Sequence, residues 1–174
     1  MELKDKIRTI LNFPKQGIMF KDITTLLKDP HAFRHVIREM LNHSDGKGIN
    51  IVASAESRGF IFGAVLAHQL HAGFVPLRKP GKLPYKTIKQ EFITEYSKDA
   101  FEVHEDAIEK DDNVLIVDDL LATGGTAKAA VDLVERLGGN IIGLAFLIEL
   151  RFLKGREKLK GYDIFTLVNY DKEE

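Results

Sequence analysis

Residues 114–126 read Val-Leu-Ile-Val-Asp-Asp-Leu-Leu-Ala-Thr-Gly-Gly-Thr, and this stretch decides the fold. The first four residues are an apolar run typical of a buried strand, and Asp118 and Asp119 stand where that strand emerges. The Thr-Gly-Gly-Thr sequence then turns the chain into an amphipathic helix predicted over residues 126–137. A buried strand that runs directly into a helix is the repeating unit of a parallel α/β sheet.

The segments on both sides of this stretch continue the alternation of strands and helices. Helices are predicted over residues 3–11, 32–41 and 59–70. Strands or extended segments are predicted over residues 18–22, 49–54, 73–77, 90–96, 100–104, 141–147 and 164–168, with a turn over 97–99 and with 164–168 at the sheet edge. The predicted fold class is therefore α/β, with a mainly parallel central sheet flanked by helices.

Length and composition narrow the class of protein. The chain has 174 residues, which suits a single domain over residues 1–174. Lys and Arg number 25 against 26 Asp and Glu, so the balance does not favour a nucleic-acid partner. The absence of Cys excludes disulfides and thiolate chemistry. With no apolar run near the ~18 residues of a membrane span and no signal-peptide core after Met1, we expect a cytoplasmic protein that is not bound to a membrane.

The loop over residues 123–126 has the composition of an anion-binding site. Its glycines allow backbone N–H groups to approach an anion, its threonines add hydroxyl donors, and the start of the helix supplies positive potential. Asp118 and Asp119 would repel that anion but can accept hydrogen bonds from a sugar diol nearby, or hold a divalent cation. A phosphate next to a diol describes ribose 5-phosphate. The alternative interpretation is a solvated strand end followed by an ordinary helix cap.

Two other nucleotide motifs do not match this stretch. A P-loop requires Gly-x4-Gly-Lys-Ser/Thr, whereas Lys128 falls inside the predicted helix. The dinucleotide fingerprint requires Gly-x-Gly-x-x-Gly and has no acid pair in front of it. The site is therefore expected to differ from both.

Residues 114–126 resemble the phosphoribosyl pyrophosphate signature of the type I phosphoribosyltransferase family, in the form found in its adenine-specific members. Further blocks agree with that form and cover almost the whole chain: residues 13–23, Glu-Ser-Arg-Gly-Phe at 56–60, residues 78–84, Glu-Tyr at 95–96, and residues 149–159. The resemblance implies the type I fold, with a small N-terminal hood in residues 1–30 that recognises the base and with a flexible hairpin loop.

The resemblance also implies the reaction. The family transfers the 5-phosphoribosyl group from phosphoribosyl pyrophosphate to a purine nitrogen, here adenine, so that AMP and pyrophosphate form in purine salvage. The family requires magnesium, which is expected to arrive bound to the pyrophosphate of the donor. No direct protein ligand is expected for the ion, and Asp118 is the one candidate for such a contact. A homodimer is expected as well.

The roles of individual residues follow from the same resemblance. The ribose 5-phosphate is assigned to Asp118, Asp119, Ala122, Thr123, Gly124, Gly125 and Thr126. The pyrophosphate is assigned to Glu56, Ser57, Arg78, Lys79 and Lys82, with an unusual, cis-like peptide bond expected between Glu56 and Ser57. Adenine is assigned to the backbone of Met19 and Lys21, to the ring of Phe20 and to Leu150. Catalytic roles are assigned to Glu95, as a proton-transfer residue, and to Arg58.

Three alternatives remain open at this point. A hypoxanthine or xanthine enzyme is one, although hypoxanthine-guanine relatives carry an acid where Ala122 stands. A non-catalytic sensor of the same donor is the second, although such relatives add a DNA-binding domain for which 174 residues leave no room. A methyltransferase is the third, since its strand-end acid also holds a ribose diol, but it has no use for a phosphate loop.

Overall fold

A five-stranded sheet forms the centre of the computed structural model, which describes residues 2–94 and 97–173. Its strands are β3 (Ile51–Ala55), β4 (Gly73–Leu77), β7 (Asn113–Leu121), β8 (Asn140–Leu150) and β9 (Ile164–Tyr170). Their order across the sheet is β4-β3-β7-β8-β9, and every neighbouring pair is parallel. The predicted α/β class is confirmed, as is the edge position of the last strand.

Helices cover both faces of this sheet. They are α1 (Thr24–Lys28), α2 (Pro30–Ser44), α3 (Arg58–Gln69) and α4 (Gly125–Arg136). Along β7, Leu115 and Val117 pack in one apolar cluster with α2 and α3. Val114 and Ile116 point the other way and pack with α4. This period of two along a strand that is buried on both faces explains why the run is apolar throughout.

Two antiparallel hairpins stand apart from the central sheet. The first joins β1 (Arg8–Leu11) to β2 (Met19–Asp22), and the second joins β5 (Thr87–Ile93) to β6 (Lys98–His104). Short 3-10 turns cover Leu3–Lys6, Arg151–Leu153 and Gly155–Leu159. Within residues 2–94 and 97–173, no helix has the length and apolar character needed to cross a membrane.

The helix predicted over residues 3–11 is wrong. Only Leu3–Lys6 forms a 3-10 turn, and Arg8–Leu11 pairs as a strand with Met19–Asp22. The apolar residues of this segment fit either periodicity, and the β-branched Thr9 and Ile10 favour the extended form once a partner strand lies beside them. Pairing with a segment elsewhere in the chain therefore overrides the local pattern.

Several boundaries differ from the prediction. The hairpin strand predicted over 90–96 runs over Thr87–Ile93, with residues 95 and 96 outside the described residues. The turn predicted over 97–99 is wrong because Lys98 and Asp99 belong to β6. The strand β7 does not end at Val117: its pairing with β8 continues to Leu121, opposite Glu149. The two aspartates therefore lie within a hydrogen-bonded strand. The short helix α1 and the 3-10 turns after β8 were not predicted.

Candidate active site

A cavity of about 600 Å³ opens at the carboxyl ends of β3, β7 and β8. It is lined by most of the residues that the sequence predicted: Met19, Phe20, Lys21, Glu56, Ser57, Arg58, Lys79, Asp118, Asp119, Ala122, Thr123, Gly124, Thr126 and Leu150. Arg78, Lys82 and Gly125 lie next to its wall and are not part of it. Glu95 lies outside the described residues.

The phosphate loop depends on two close backbone approaches. Gly124 precedes α4 with φ +82°, a left-handed conformation that L side chains rarely adopt. A Cβ on Gly124 would lie 2.4 Å from the carbonyl oxygen of Gly155, and a Cβ on Gly125 would lie 2.5 Å from that of Ile93. The loop is therefore held between the segment after β8 and the end of β5. The start of α4 at the cavity wall provides the positive end of a helix.

The two strand-end acids differ in their partners. Asp119 is 6% exposed, and its Oδ2 accepts a 2.5 Å hydrogen bond from Nε of Arg58. Removal from water and the neighbouring charge of Asp119 raise the pKa of Asp118 well above its usual value. The strand end reaches α3 closely, since a Cβ on Gly59 would lie 2.8 Å from Oδ1 of Asp118. The pair can accept hydrogen bonds from neighbouring hydroxyls on a ligand.

Arg58 joins the acid pair to the N-terminal hairpin. Its guanidinium carbon lies 5.3 Å from the centroid of the Phe20 ring, in addition to its bond to Asp119. Burial by itself would lower the pKa of Arg58, but the charge and hydrogen bond of Asp119, together with the charges of Asp118 and Asp22, raise it. Arg58 is therefore a cation in the wall of the cavity.

The carboxylate of Glu56 binds the basic residues that follow β4. Its carboxylate accepts hydrogen bonds from the backbone N–H of Lys79 at 2.7 Å, from Nζ of Lys82 at 2.8 Å and from Nε of Arg78 at 3.3 Å. Burial would raise the pKa of Glu56, yet these donors together lower it. The peptide bond between Glu56 and Ser57 is cis, as expected. All five of the predicted pyrophosphate residues thus meet at this carboxylate or at the peptide bond beside it.

The basic loop is also tied to the second hairpin. Arg78 and Glu102 exchange backbone hydrogen bonds of 3.0 and 2.7 Å, and Gly81 N donates to the Glu102 carboxylate at 3.2 Å. Lys79 forms an ion pair with Asp99 of the same hairpin. The cations therefore have defined positions relative to the cavity even though their side chains are partly exposed.

The N-terminal hairpin supplies an aromatic wall. Phe20 packs edge-on against Phe13, with ring centroids 5.1 Å apart. The side chain of Lys21 is directed away from this wall: its Nζ donates to Oγ1 of Thr9 at 3.0 Å and lies 4.1 Å from the centre of the Tyr170 ring. The side chain of Lys21 thus has partners in the hairpin and at the end of β9, and a role for its backbone in base binding stays a prediction.

Several wall residues were not predicted individually, among them Phe13, Phe152 and Leu153. All three fall within the sequence blocks at 13–23 and 149–159 that carry the family resemblance. Their apolar character by itself gave no signal, since core residues look the same.

Comparisons with known proteins agree with this geometry. Residues 22–172 match the sequence profile of the phosphoribosyl transferase domain. An adenine phosphoribosyltransferase of Methanococcus maripaludis is 55% identical over 171 residues, which cover 98% of this chain and 99% of that protein.

Solved structures give the same result. The adenine phosphoribosyltransferase of Thermoanaerobacter pseudethanolicus superposes with a TM-score of 0.93 at 51% identity, covering 97% of this chain and 98% of that one. The enzyme of Trypanosoma brucei, solved with AMP, pyrophosphate and ribose 5-phosphate, has a TM-score of 0.90 at 25% identity, covering 97% of this chain and 78% of that one.

Proposed function

Because the chain belongs to the adenine phosphoribosyltransferase family, we propose that its cavity converts adenine and phosphoribosyl pyrophosphate to AMP and pyrophosphate. The observation that carries the proposal is the joint position of an anion-binding loop and an acid pair, of which Asp119 is buried, toward the carboxyl end of β7. Ligands of parallel α/β sheets bind at this end of the strands. The reaction recovers a free purine base as a nucleotide.

We assign the base to the wall formed by the N-terminal hairpin within a single domain, so that residues 1–30 act as the hood. Phe20 would stack on one face of adenine, with the backbone of Met19 and Lys21 at its edge and Leu150 on the other face. All four residues line the cavity. Because Arg58 contacts both the Phe20 ring and Asp119, it would lie between the base and the ribose.

The ribose 5-phosphate of the donor would occupy the other half of the cavity. Its phosphate binds the loop of residues 122–126, where the helix start and the glycine backbone favour an anion. Its 2′ and 3′ hydroxyls donate to Asp118 and Asp119. Binding of the diol requires Asp119 to share its carboxylate with Arg58, since the two are in contact in the free protein.

The chemical step exchanges one bond at the anomeric carbon for another. N9 of adenine forms a bond to C1′, the bond from C1′ to the pyrophosphate oxygen breaks, and the N9 proton leaves. Negative charge collects on the departing pyrophosphate, where Arg78, Lys79 and Lys82 would stabilise it. We assign the proton to Glu95, which lies outside the described residues.

Magnesium fits this site as a companion of the donor. Among residues 2–94 and 97–173, no group of three or more His, Asp or Glu side chains is arranged to hold a metal ion. Mg²⁺ commonly takes one or two carboxylates together with substrate phosphates and water. Asp118 and Asp119 offer such oxygens in the cavity wall. When bound, the ion would neutralise charge on the leaving pyrophosphate.

The reaction is tested by measuring pyrophosphate release with four bases. Adenine should support turnover, and hypoxanthine, guanine and xanthine should each give a kcat/KM lower by at least about 100-fold, because a site built around one hydrogen-bonding edge rejects another. Faster turnover with a 6-oxopurine would assign a different substrate. Tight donor binding with no release from any base would indicate a sensor instead.

Removal of one cation from the basic loop should weaken donor binding selectively. We expect Lys82→Met to raise the KM for phosphoribosyl pyrophosphate about tenfold, the cost of one charge-assisted contact. The KM for adenine should stay unchanged. Lys86→Met, in the same loop and exposed, is the matched control. Equal KM values for the donor in the two variants would contradict the role of Lys82.

We also propose a cytoplasmic homodimer. Phe74 on the edge strand β4 and Ile61 on α3 remain 37% and 38% exposed, and Phe60 contacts the Phe74 ring. Apolar side chains grouped in this way favour an interface with a second copy. The highly charged donor is a metabolite of the cell interior, which supports the cytoplasmic assignment.

A further inference from the structure

A buried carboxylate at the end of β8 forms an ion pair with an arginine in the connection between β8 and β9. Glu149 is 2% exposed, and the guanidinium of Arg156 donates to both of its oxygens, from Nε to Oε1 at 2.7 Å and from Nη2 to Oε2 at 2.8 Å. The hydroxyl of Thr166 on β9 donates to Oε2 at 3.1 Å. A carboxylate removed from water persists only with partners of this quality.

The electrostatics agree with a permanently ionised pair. Burial by itself would raise the pKa of Glu149, but the hydrogen bonds and charge of Arg156, with the Thr166 hydroxyl, lower it. The same contact raises the pKa of Arg156. The two side chains therefore hold each other in one geometry across the neutral pH range.

The residues between the two partners form two different parts of the cavity. Leu150, Phe152 and Leu153 line it on the side assigned to adenine. Gly155 packs behind the phosphate loop, where a Cβ would lie 2.4 Å from the carbonyl oxygen of Ala122. A displacement of this segment would move the base wall and the back of the loop together.

From this arrangement we propose that Glu149 and Arg156 are positioning residues, which fix residues 150–155 and thereby align the base wall with the 5′-phosphate loop. The inference rests on the proposed function, since it takes the two halves of the cavity as the base and phosphate subsites. Neither side chain lines the cavity, so the pair would act through residues 150–155, which lie between the two partners. The residues assigned to pyrophosphate, around Glu56, follow β3 and β4, so their positions should not depend on the pair of Glu149 and Arg156.

Separate binding measurements on AMP and pyrophosphate test the proposal. Arg156→Lys keeps the charge but loses the two-pronged hydrogen bond. We expect calorimetry to show that the affinity for AMP falls about tenfold, because a small displacement of binding groups is enough to weaken their contacts. The affinity for pyrophosphate with Mg²⁺ should equal that of the wild type. Arg151→Lys is the matched control, since its guanidinium lies 3.9 Å from Glu149, beyond hydrogen-bonding distance. Its affinity for AMP should not change.

Unchanged AMP affinity in Arg156→Lys would overturn the proposal, and so would an equal loss for AMP and pyrophosphate, which would indicate a global effect. Should Arg156→Lys fail to fold, Thr166→Val removes one hydrogen bond to Glu149 and should weaken AMP about threefold, again without effect on pyrophosphate. AMP affinity equal to wild type in that variant would then refute the inference. Wild-type protein that does not bind AMP would refute the proposed function itself.

Discussion

Replacing both strand-end acids, Asp118→Asn with Asp119→Asn, should lower kcat/KM for phosphoribosyl pyrophosphate by about 100-fold while the protein stays folded. A hydrogen bond to a charged acceptor is roughly twice as strong as one to a neutral acceptor, so each hydroxyl of the ribose loses about one factor of ten. Steady-state kinetics with varied donor measure the effect. The KM for adenine should change far less, because the aromatic wall is untouched.

A second acid pair, just before the same strand, gives the control. Asp111 and Asp112 precede β7 at its opposite end, so Asp111→Asn with Asp112→Asn makes the same change of charge outside the cavity. Its donor kinetics should match the wild type. Near-normal turnover in the strand-end variant, or an equal loss in this control, would contradict the assignment of the diol to Asp118 and Asp119.

The single variant Asp118→Asn should be more stable than the wild type at neutral pH. Its raised pKa means that the folded protein resists ionisation of Asp118, whereas the unfolded chain ionises it near pH 3.9. The destabilisation of the wild type by Asp118 is therefore present above that pH and disappears as the solution is acidified. Thermal unfolding should show a Tm gain of about 3 °C at pH 7 that shrinks toward pH 4. A gain that is independent of pH, or a loss, would contradict the cause given for the pKa shift.

Gly124→Ala should disable the phosphate loop. The new methyl group would meet the Gly155 carbonyl oxygen at 2.4 Å, and the left-handed backbone at φ +82° costs a further ~1–2 kcal/mol for a residue with a Cβ. Because backbone must move to relieve the contact, we expect the KM for the donor to rise about 100-fold. Donor kinetics below the melting transition and thermal unfolding through it measure the two effects.

Gly161→Ala separates the backbone cost from the steric contact. Gly161 has φ +92°, but nothing lies within 4 Å of a Cβ placed there. This variant should lose a similar amount of stability from strain and keep normal donor kinetics. If Gly124→Ala behaved like Gly161→Ala in both measurements, the close approach of Gly155 would have no part in binding the phosphate.

The amount that could be predicted from sequence differed between elements. The central strands and the helices α2, α3 and α4 were predicted because their apolar periodicity agrees with their burial. The first hairpin strand was not, because Arg8–Leu11 becomes extended only through pairing with Met19–Asp22. The continuation of β7 past Val117 likewise depends on its neighbour β8. Local patterns decide structure only where no distant partner competes.

By itself, the sequence determined the α/β class and the order of acids, glycines and helix start that follows the apolar run, because these groups are consecutive in the chain. Tertiary structure alone decided which distant groups face them. It placed Arg58 against Asp119, brought Lys82 to Glu56 and set Gly155 behind the loop. These contacts join segments that are far apart in sequence, and only packing of the strands and helices fixes their distances.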